Sequence, residues 1–307
     1  MMMEPWQRLP ALSLKQLQYF VTLAQLRHFT DTANRLAISQ PALSSALRQT
    51  ESVLGGKLVN RTASAVTLTE LGVAILPHAE RVLSIAQHAF SDMQQIVAAG
   101  GDGTVRIGLI PSVSSLLFPS LPEQLADAFP RLRLEFHDHT NDTLIARLLN
   151  GQIDFGIGAL DSAVPPSLQT WPLQEDPFVA VMHRDDPAAS SAHLQWKQLS
   201  GRELAVFSKG NIQRLVASLA QSQRLTLDIR YHVDYIETLY GLVRSRLAVA
   251  ILPQLYTTHL CDPQLRVVQL QQPAMMRTVA LMRSPQPLPP MIEACFDLLR
   301  QSLRGAL

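Results

Sequence analysis

Residues 38–50 read ISQPALSSALRQT, a stretch in which apolar side chains recur at helical spacing. The pattern predicts one helix whose buried face continues beyond the stretch through Leu43, Ala46, Leu47, Thr50, Val53 and Leu54. The opposite face carries short hydrogen-bonding groups and one cation, namely Gln40, Ser44, Ser45 and Arg48. Such a face lets a helix approach a partner surface closely.

The residues around this helix predict a helix-turn-helix. Ser39 can cap its N-terminus, and Pro41 then falls in the first turn, where a missing N–H costs nothing. A helix over DTANRLA precedes it, for which Thr30 is a candidate N-cap, and about three residues separate the two helices. An amphipathic helix from Leu14 completes a three-helix unit.

The segment GGKLVNRTASAVTLTE reads as a β-hairpin, or wing, and Thr69 then opens a helix that runs to about Ala98. Apolar residues alternate three and four apart along this helix, at Leu76, Ala79, Leu83, Ala86, Phe90, Met93 and Val97. Seven such positions favour a helix pair between two subunits. The alternative is a helix packed on its own domain.

A major groove admits one helix, so the polar face is a candidate for base readout. Gln40 can pair with an adenine edge, and Arg48 can reach guanine or a phosphate, while Arg35 and Arg61 can contact the backbone. The alternative is a solvated helix in a protein-binding winged domain, because residues 29–67 hold only four basic against two acidic residues. The predicted DNA-binding residues are Thr30, Arg35, Ser39, Gln40, Pro41, Ser44, Ser45, Arg48 and Arg61.

After the glycine-rich stretch AAGGDGTV the pattern changes to alternating strands and helices, which predicts parallel α/β sheets. A proline-rich break, SAVPPSLQ, divides this half into two similar lobes. We therefore predict an α/β multi-domain chain: a winged helix-turn-helix at 12–70, a linker and dimerisation helix at 71–100, and a two-lobed effector domain at 104–307. The first lobe takes 104–162 and 274–307, and the second takes 163–273.

Ligands of open α/β sheets bind at the carboxyl ends of strands, and GLIPSVSS places a strand end, a turn and a helix start together. Hydroxyl donors and helix N–H groups there, without an acidic residue, predict a small carboxylate effector. The alternative is that Ser112 and Ser114 only cap the helix. The predicted effector-binding residues are Ser112, Ser114, Thr140, Phe207 and Ser208.

The bulk composition narrows the function classes. A net charge of +1 means that any nucleic-acid binding must be local, and two cysteines are too few for a disulfide framework. We find no secretory signal or membrane span and no GxGxxG, P-loop, GxSxG or HExxH motif, so we expect a cytoplasmic protein without a cofactor. His137 and His139 share a strand face, but no third metal ligand is placed, and Cys295 is expected to be buried.

The segment 14–72, with SQPALS followed by RT and LTELG, resembles the N-terminal module of LysR-type transcriptional regulators. The linker helix and two-lobed half fit the same family. The resemblance implies a winged helix-turn-helix, a dimerising linker helix and an effector domain shaped like periplasmic binding proteins. It also implies a homodimer or homotetramer on promoter DNA, RNA polymerase as a further candidate partner, and inducer contacts at Ser112 and Thr140.

Two other classes compete with a regulator. One is a solute-binding receptor whose helical N-terminus contacts a protein, which the lack of a signal peptide disfavours. The other is an enzyme, but Ser112, Thr140 and Lys209 include no base aligned with a nucleophile.

The resemblance has departures that predict a weak salt dependence of DNA binding. Ser45 stands where the family often has Arg, and residues 63–65, Ala-Ser-Ala, replace basic or glycine positions of the wing. Each lost cation removes a phosphate contact, and the slope of log K against log salt is about −0.9 per neutralised phosphate. A salt titration of duplex binding should therefore show a shallow slope. A steep slope would contradict the expectation.

Overall fold

The computed structural model describes residues 11–61, 66–99, 103–161 and 164–303. The chain divides into an N-terminal and a C-terminal unit, each described here by itself. In the described ranges, no helix is long and apolar enough to cross a membrane.

The N-terminal unit is a three-helix module followed by a hairpin and a long helix. The helices α1 to α3 and the strands β1 and β2 are followed by α4, with bounds α1 Leu14–Leu26, α2 Phe29–Arg35, α3 Gln40–Leu54, β1 Val59–Arg61, β2 Val66–Leu68 and α4 Glu70–Ala99. The two strands are antiparallel, with Val59 opposite Leu68. The helix-turn-helix and the wing are thus confirmed.

The ends of the helices show which residues start and stop each helix. Ser39 caps α3 as predicted, since its Oγ accepts from the backbone N–H of Ala42 at 3.3 Å. Thr30 does not cap α2, because α2 begins at Phe29, two residues before the predicted start at Asp31, and Nδ1 of His28 accepts from the N–H of Asp31. The prediction relied on the preference of helix N-caps for hydroxyl side chains, but here an imidazole nitrogen is the hydrogen-bond acceptor.

The core of the N-terminal unit lies between α1, α3 and the wing. Phe20, Leu43 and Leu47 are almost wholly buried, whereas Val53 and Leu54, predicted to face inward, are exposed at the end of α3. On α4, Phe90 and Met93 are more than half exposed. The predicted apolar seam of α4 is therefore not covered by this chain along that part.

The C-terminal unit alternates strands and helices. Its elements continue the numbering, with bounds β3 Thr104–Leu109, α5 Pro111–Leu117, α6 Leu121–Ala128, β4 Arg133–Asp138, α7 Asn141–Leu149, β5 Phe155–Leu160, β6 Gln169–His183, β7 His193–Gln195, β8 Glu203–Phe207, α8 Asn211–Ser222, β9 Asp228–Val233, α9 Ile236–Arg244, β10 Val249–Pro253, β11 Leu265–Gln271, β12 Met276–Arg283 and α10 Pro290–Ser302.

Two strands connect the lobes of this unit. The first lobe holds parallel β4, β3 and β5, with β12 antiparallel to β5 and to the first part of β6. The second lobe holds parallel β9, β8 and β10, with the last part of β6 antiparallel to β10. Each lobe has its own apolar core. The two-lobed α/β architecture is the one predicted, while the exact domain limits stay a prediction.

Several elements differ from the sequence-based prediction. One helix was expected over 114–129, but α5 ends at Leu117 and α6 starts at Leu121, since Pro119 cannot continue the first helix. The strands β7, β9, β11 and β12 were not predicted. β7 has only three residues, and β9 and β11 keep several side chains exposed. β12 is a mostly buried run without the alternation that marks a strand.

Candidate functional site

The exposed side of α3 carries most of the predicted DNA-binding groups. Arg48 donates from Nη1 to the Oγ of Ser44 at 3.3 Å, which orders two members of the polar face. Ser44 is half-buried, and the side chain of Arg61 lies outside the described part of the structure. The other predicted residues are all exposed, namely Thr30, Arg35, Ser39, Gln40, Pro41, Ser45 and Arg48.

The acidic side chain of Glu51 in α3 forms hydrogen bonds to the wing. The Oε1 of Glu51 accepts from the backbone N–H groups of Leu58 at 2.9 Å and Val59 at 3.4 Å. This carboxylate therefore fixes where β1 starts relative to α3, and it does not face a partner as a free charge. The sequence offered no signal for this role.

A cavity of about 420 Å³ lies between the lobes of the C-terminal unit. The first lobe lines it with Ile110, Pro111, Thr140 and Asn141, which follow the carboxyl ends of β3 and β4. The second lobe lines it with Phe207 at the end of β8, with the turn after β8, and with the residues after β9. Both lobes thus present the carboxyl edges of their parallel strands, as the rule for open α/β sheets requires.

The five predicted effector residues divide into two groups. Thr140 and Phe207 line the cavity. Ser112 is fully buried beneath it, Ser114 donates its hydroxyl to Asp138, and Ser208 donates to Asp234. The effector assignment of all five stays a prediction, and the geometry places only two of them on the wall.

A buried ion pair forms the floor of the cavity. Arg277 donates from Nε and Nη2 to Oδ2 of Asp176 at 2.9 and 2.8 Å, and from Nη2 to the Oγ of Ser112 at 2.7 Å. The other carboxylate oxygen of Asp176 accepts from the N–H of Leu255 at 3.0 Å. Burial raises the pKa of Tyr256, which lies beside Ser112 and Arg277, so its phenol stays neutral.

Exposed ion pairs surround the cavity. Lys209 donates to Asp234 at 2.8 Å, and this hydrogen bond lowers the pKa of the Asp234 carboxyl. Arg214 of α8 donates twice to Asp142 of α7, at 2.8 Å each, and so connects the second lobe to the first. The hydrogen bond from Arg214 holds the pKa of Asp142 below its ordinary value.

Sequence reasoning missed Arg277, Asp176 and Asn211. Arg277 and Asp176 are register partners on β12 and β6, two strands whose pairing no local pattern announces. Asn211 could have been found, because it opens α8 directly after the strand that ends at Phe207, as Thr140 precedes α7.

The histidine pair and the two cysteines lie in different surroundings, and Cys295 is buried as the sequence suggested. The rings of His137 and His139 stack, with centroids 5.9 Å apart, and no group of three or more candidate metal ligands occurs among the residues that the structure describes. Cys295 is fully buried in the first-lobe core, and burial raises the pKa of its thiol to about 12. Cys261 is exposed.

A winged helix-turn-helix followed by a two-lobed α/β domain is the architecture of a DNA-binding transcriptional regulator. Residues 14–73 match the family described as bacterial regulatory helix-turn-helix protein, lysR family, and residues 98–304 match the LysR substrate binding domain. The chain belongs to the LysR family of transcriptional regulators, which are not enzymes, and the resemblance read from the sequence is confirmed.

Relatives cover nearly the whole chain. A hydrogen peroxide-inducible genes activator of Dickeya chrysanthemi is 28% identical over 301 residues, 95% of this chain and 96% of that protein. The structure of full-length OxyR from Pseudomonas aeruginosa is 28% identical, with a TM-score of 0.59 over 96% of this chain and 95% of that one. The LysR-family regulator CbnR, at 20% identity, shares the fold, with a TM-score of 0.64 over 95% of this chain and 99% of that one.

Because the ion pair at the cavity floor is buried, removing one of its charges should greatly lower the stability of the fold. Arg277→Met leaves the Asp176 carboxylate buried without its partner and should lower the free energy of unfolding by about 3 kcal/mol. Asp176→Leu combined with Arg277→Met should recover much of that loss, because no charge is then left unpaired. Urea unfolding followed by the fluorescence of Trp171 and Trp196, both in this unit, measures the effect. Equal losses in the single and double variants would contradict the prediction.

Proposed function

We propose that this regulator binds promoter DNA through α3 as a homodimer or homotetramer and is controlled by a small carboxylate in the cavity between its lobes. The supporting observation for the effector is that the first turns of α7, α8 and α9 all line one cavity. These helices have nine to twelve residues, and neither α8 nor α9 has a side-chain cap. The uncapped N–H groups and the positive end of the α8 dipole favour an anion, whereas α9 already holds the carboxylate of Glu237 in its first turn.

The walls suggest how the rest of such an effector would sit. The rings of Phe207 and Tyr256 are 4.9 Å apart between centroids and provide an apolar surface. The hydroxyl of Thr140 lies at the start of α7 on the opposite lobe. A carboxylate near Thr140 and the helix starts, with its carbon skeleton on the two rings, would satisfy both. Ser112 then acts indirectly, by holding Arg277.

Regulation would follow from a population shift. A ligand that contacts both lobes binds one lobe arrangement better than another, and only this difference in affinity can change the assembly. The exposed α4 residues Phe90 and Met93 support a second copy packed along this helix. In such a dimer the two α3 helices would bind the two halves of a dyad-related DNA site. Because the proposed partner is DNA, the proposed compartment is the cytoplasm.

Some relatives are named as hydrogen peroxide-inducible genes activators. The alternative to an organic effector is therefore a response to oxidation at a cysteine thiol. Cys295 does not favour it, because this thiol is buried and its pKa is about 12, so its thiolate is scarce. Cys261 is exposed and is the thiol that such a response would use. The cavity between the lobes favours an organic effector.

The DNA-binding proposal predicts selective binding to a duplex from the upstream region of the gene itself. Gln40→Ala with Ser44→Ala should weaken that binding about tenfold or more, since each base contact contributes about 1–3 kcal/mol. Ser52→Ala, an exposed change at the far end of α3, serves as the control. Fluorescence anisotropy against a scrambled duplex measures both, and equal weak binding to the two duplexes would favour a protein partner for α3.

The effector proposal predicts that carboxylate probes shift the thermal unfolding of the wild-type protein. Thr140→Val should lower probe affinity about tenfold, because it removes a hydrogen bond to a charged group. Ser222→Ala, an exposed change at the far end of α8 and away from the cavity, is the control. Titration with benzoate, 4-hydroxybenzoate, butyrate and succinate measures the response, and equal affinities in both variants would remove Thr140 from the site.

A further inference from the structure

Two asparagines line the cavity, and their hydrogen bonding differs. The amide of Asn141 is satisfied at both ends, because Nδ2 donates to the carbonyl of Ala159 at 2.9 Å and Oδ1 accepts from the same residue's N–H at 2.8 Å. Asn211 is only 3% exposed, and its Nδ2 is buried without a hydrogen-bond partner among the described residues. The first asparagine therefore holds the end of β5, whereas the Nδ2 of the second is left unpaired.

An unsatisfied buried amide is uncommon and destabilising, so its presence calls for a reason. Asn211 is the first residue of α8, and it follows Gly210, whose positive φ of 83° turns the chain into the helix. At this position Asn211 lines the cavity. Rotation about the Cβ–Cγ bond exchanges the oxygen and nitrogen of the amide, so a donor can be turned toward a bound molecule.

We infer that Asn211 is a specificity-determining residue that donates a hydrogen bond to a second oxygen of the effector, apart from the carboxylate bound near Thr140. The inference rests on the proposed function of this cavity. It assigns the effector to organic acids that carry a further acceptor, such as hydroxy acids and dicarboxylates. A plain monocarboxylate leaves the Asn211 amide unpaired, and a polar site left unpaired discriminates strongly.

Paired probes test this selectivity. The wild-type protein should bind 4-hydroxybenzoate more tightly than benzoate, and succinate more tightly than butyrate, by about tenfold in at least one pair. Asn211→Leu should abolish the preference while retaining the weaker binding of the plain acid. Asn211→Asp should weaken binding of every probe, because it places a second negative charge beside the carboxylate.

The stability of the ligand-free protein separates a binding role from a structural one. Asn211→Leu removes an unpaired amide and should unfold at the wild-type temperature or above. Asn141→Leu, the matched control, breaks two hydrogen bonds to β5 and should unfold at a lower temperature. If Asn211→Leu were destabilised as much as Asn141→Leu, the amide would be structural and the inference would be overturned.

The outcomes distinguish this inference from the proposed function. A wild-type protein that binds the probes without preferring the oxygen-bearing member of either pair overturns the role of Asn211 and leaves the carboxylate site standing. A wild-type protein that no probe shifts overturns the carboxylate site and this inference with it. Preference in the wild type, lost in Asn211→Leu without loss of stability, supports both.

Discussion

The ion pair between Arg277 and Asp176 is the contact on which the C-terminal unit depends. Its two residues lie opposite each other on β12 and the first part of β6, close to the point where the chain passes between the lobes. Both side chains are almost wholly buried, so the attraction between them must offset a large desolvation cost. The same pair also contacts Ser112 of α5 and the backbone of Leu255 after β10. One network therefore joins β12, β6 and α5 at the floor of the cavity.

The contact at the rim is of another kind. Arg214 and Asp142 are exposed, although their hydrogen bonds are short and paired. Solvent screening makes such a pair worth little, on the order of 0–1 kcal/mol. The exposed contact across the opening is thus weaker than the buried one at the floor. This difference supports the proposed control by a small molecule that binds between the lobes.

The local parts of this architecture could be predicted, and the long-range parts could not. The spacing of apolar residues predicted α3, the wing and the strands that end beside Ile110 and Phe207, because those patterns are complete within a dozen residues. The Arg277–Ser112 bond joins positions 165 residues apart, and β12 had not been predicted as a strand. Likewise, the burial of Ser112 depends on Arg277, so a sensible reading of GLIPSVSS as a ligand loop could not show that this hydroxyl is already occupied.

The role of Glu51 alters the electrostatic interpretation of the DNA-binding surface. Counting charges along residues 29–67 treats this acid as opposing the nearby cations. In the structure the carboxylate of Glu51 is half-buried and accepts hydrogen bonds from two backbone N–H groups at the start of β1. Its charge is therefore stabilised by contacts within the fold. The exposed face of α3 is then lined by hydroxyls, an amide and Arg48, with no carboxylate of its own. Such a helix surface does not repel DNA phosphates, but its single cation attracts few of them. We therefore expect that much of the selectivity comes from a close fit to the groove and to its sequence-dependent shape.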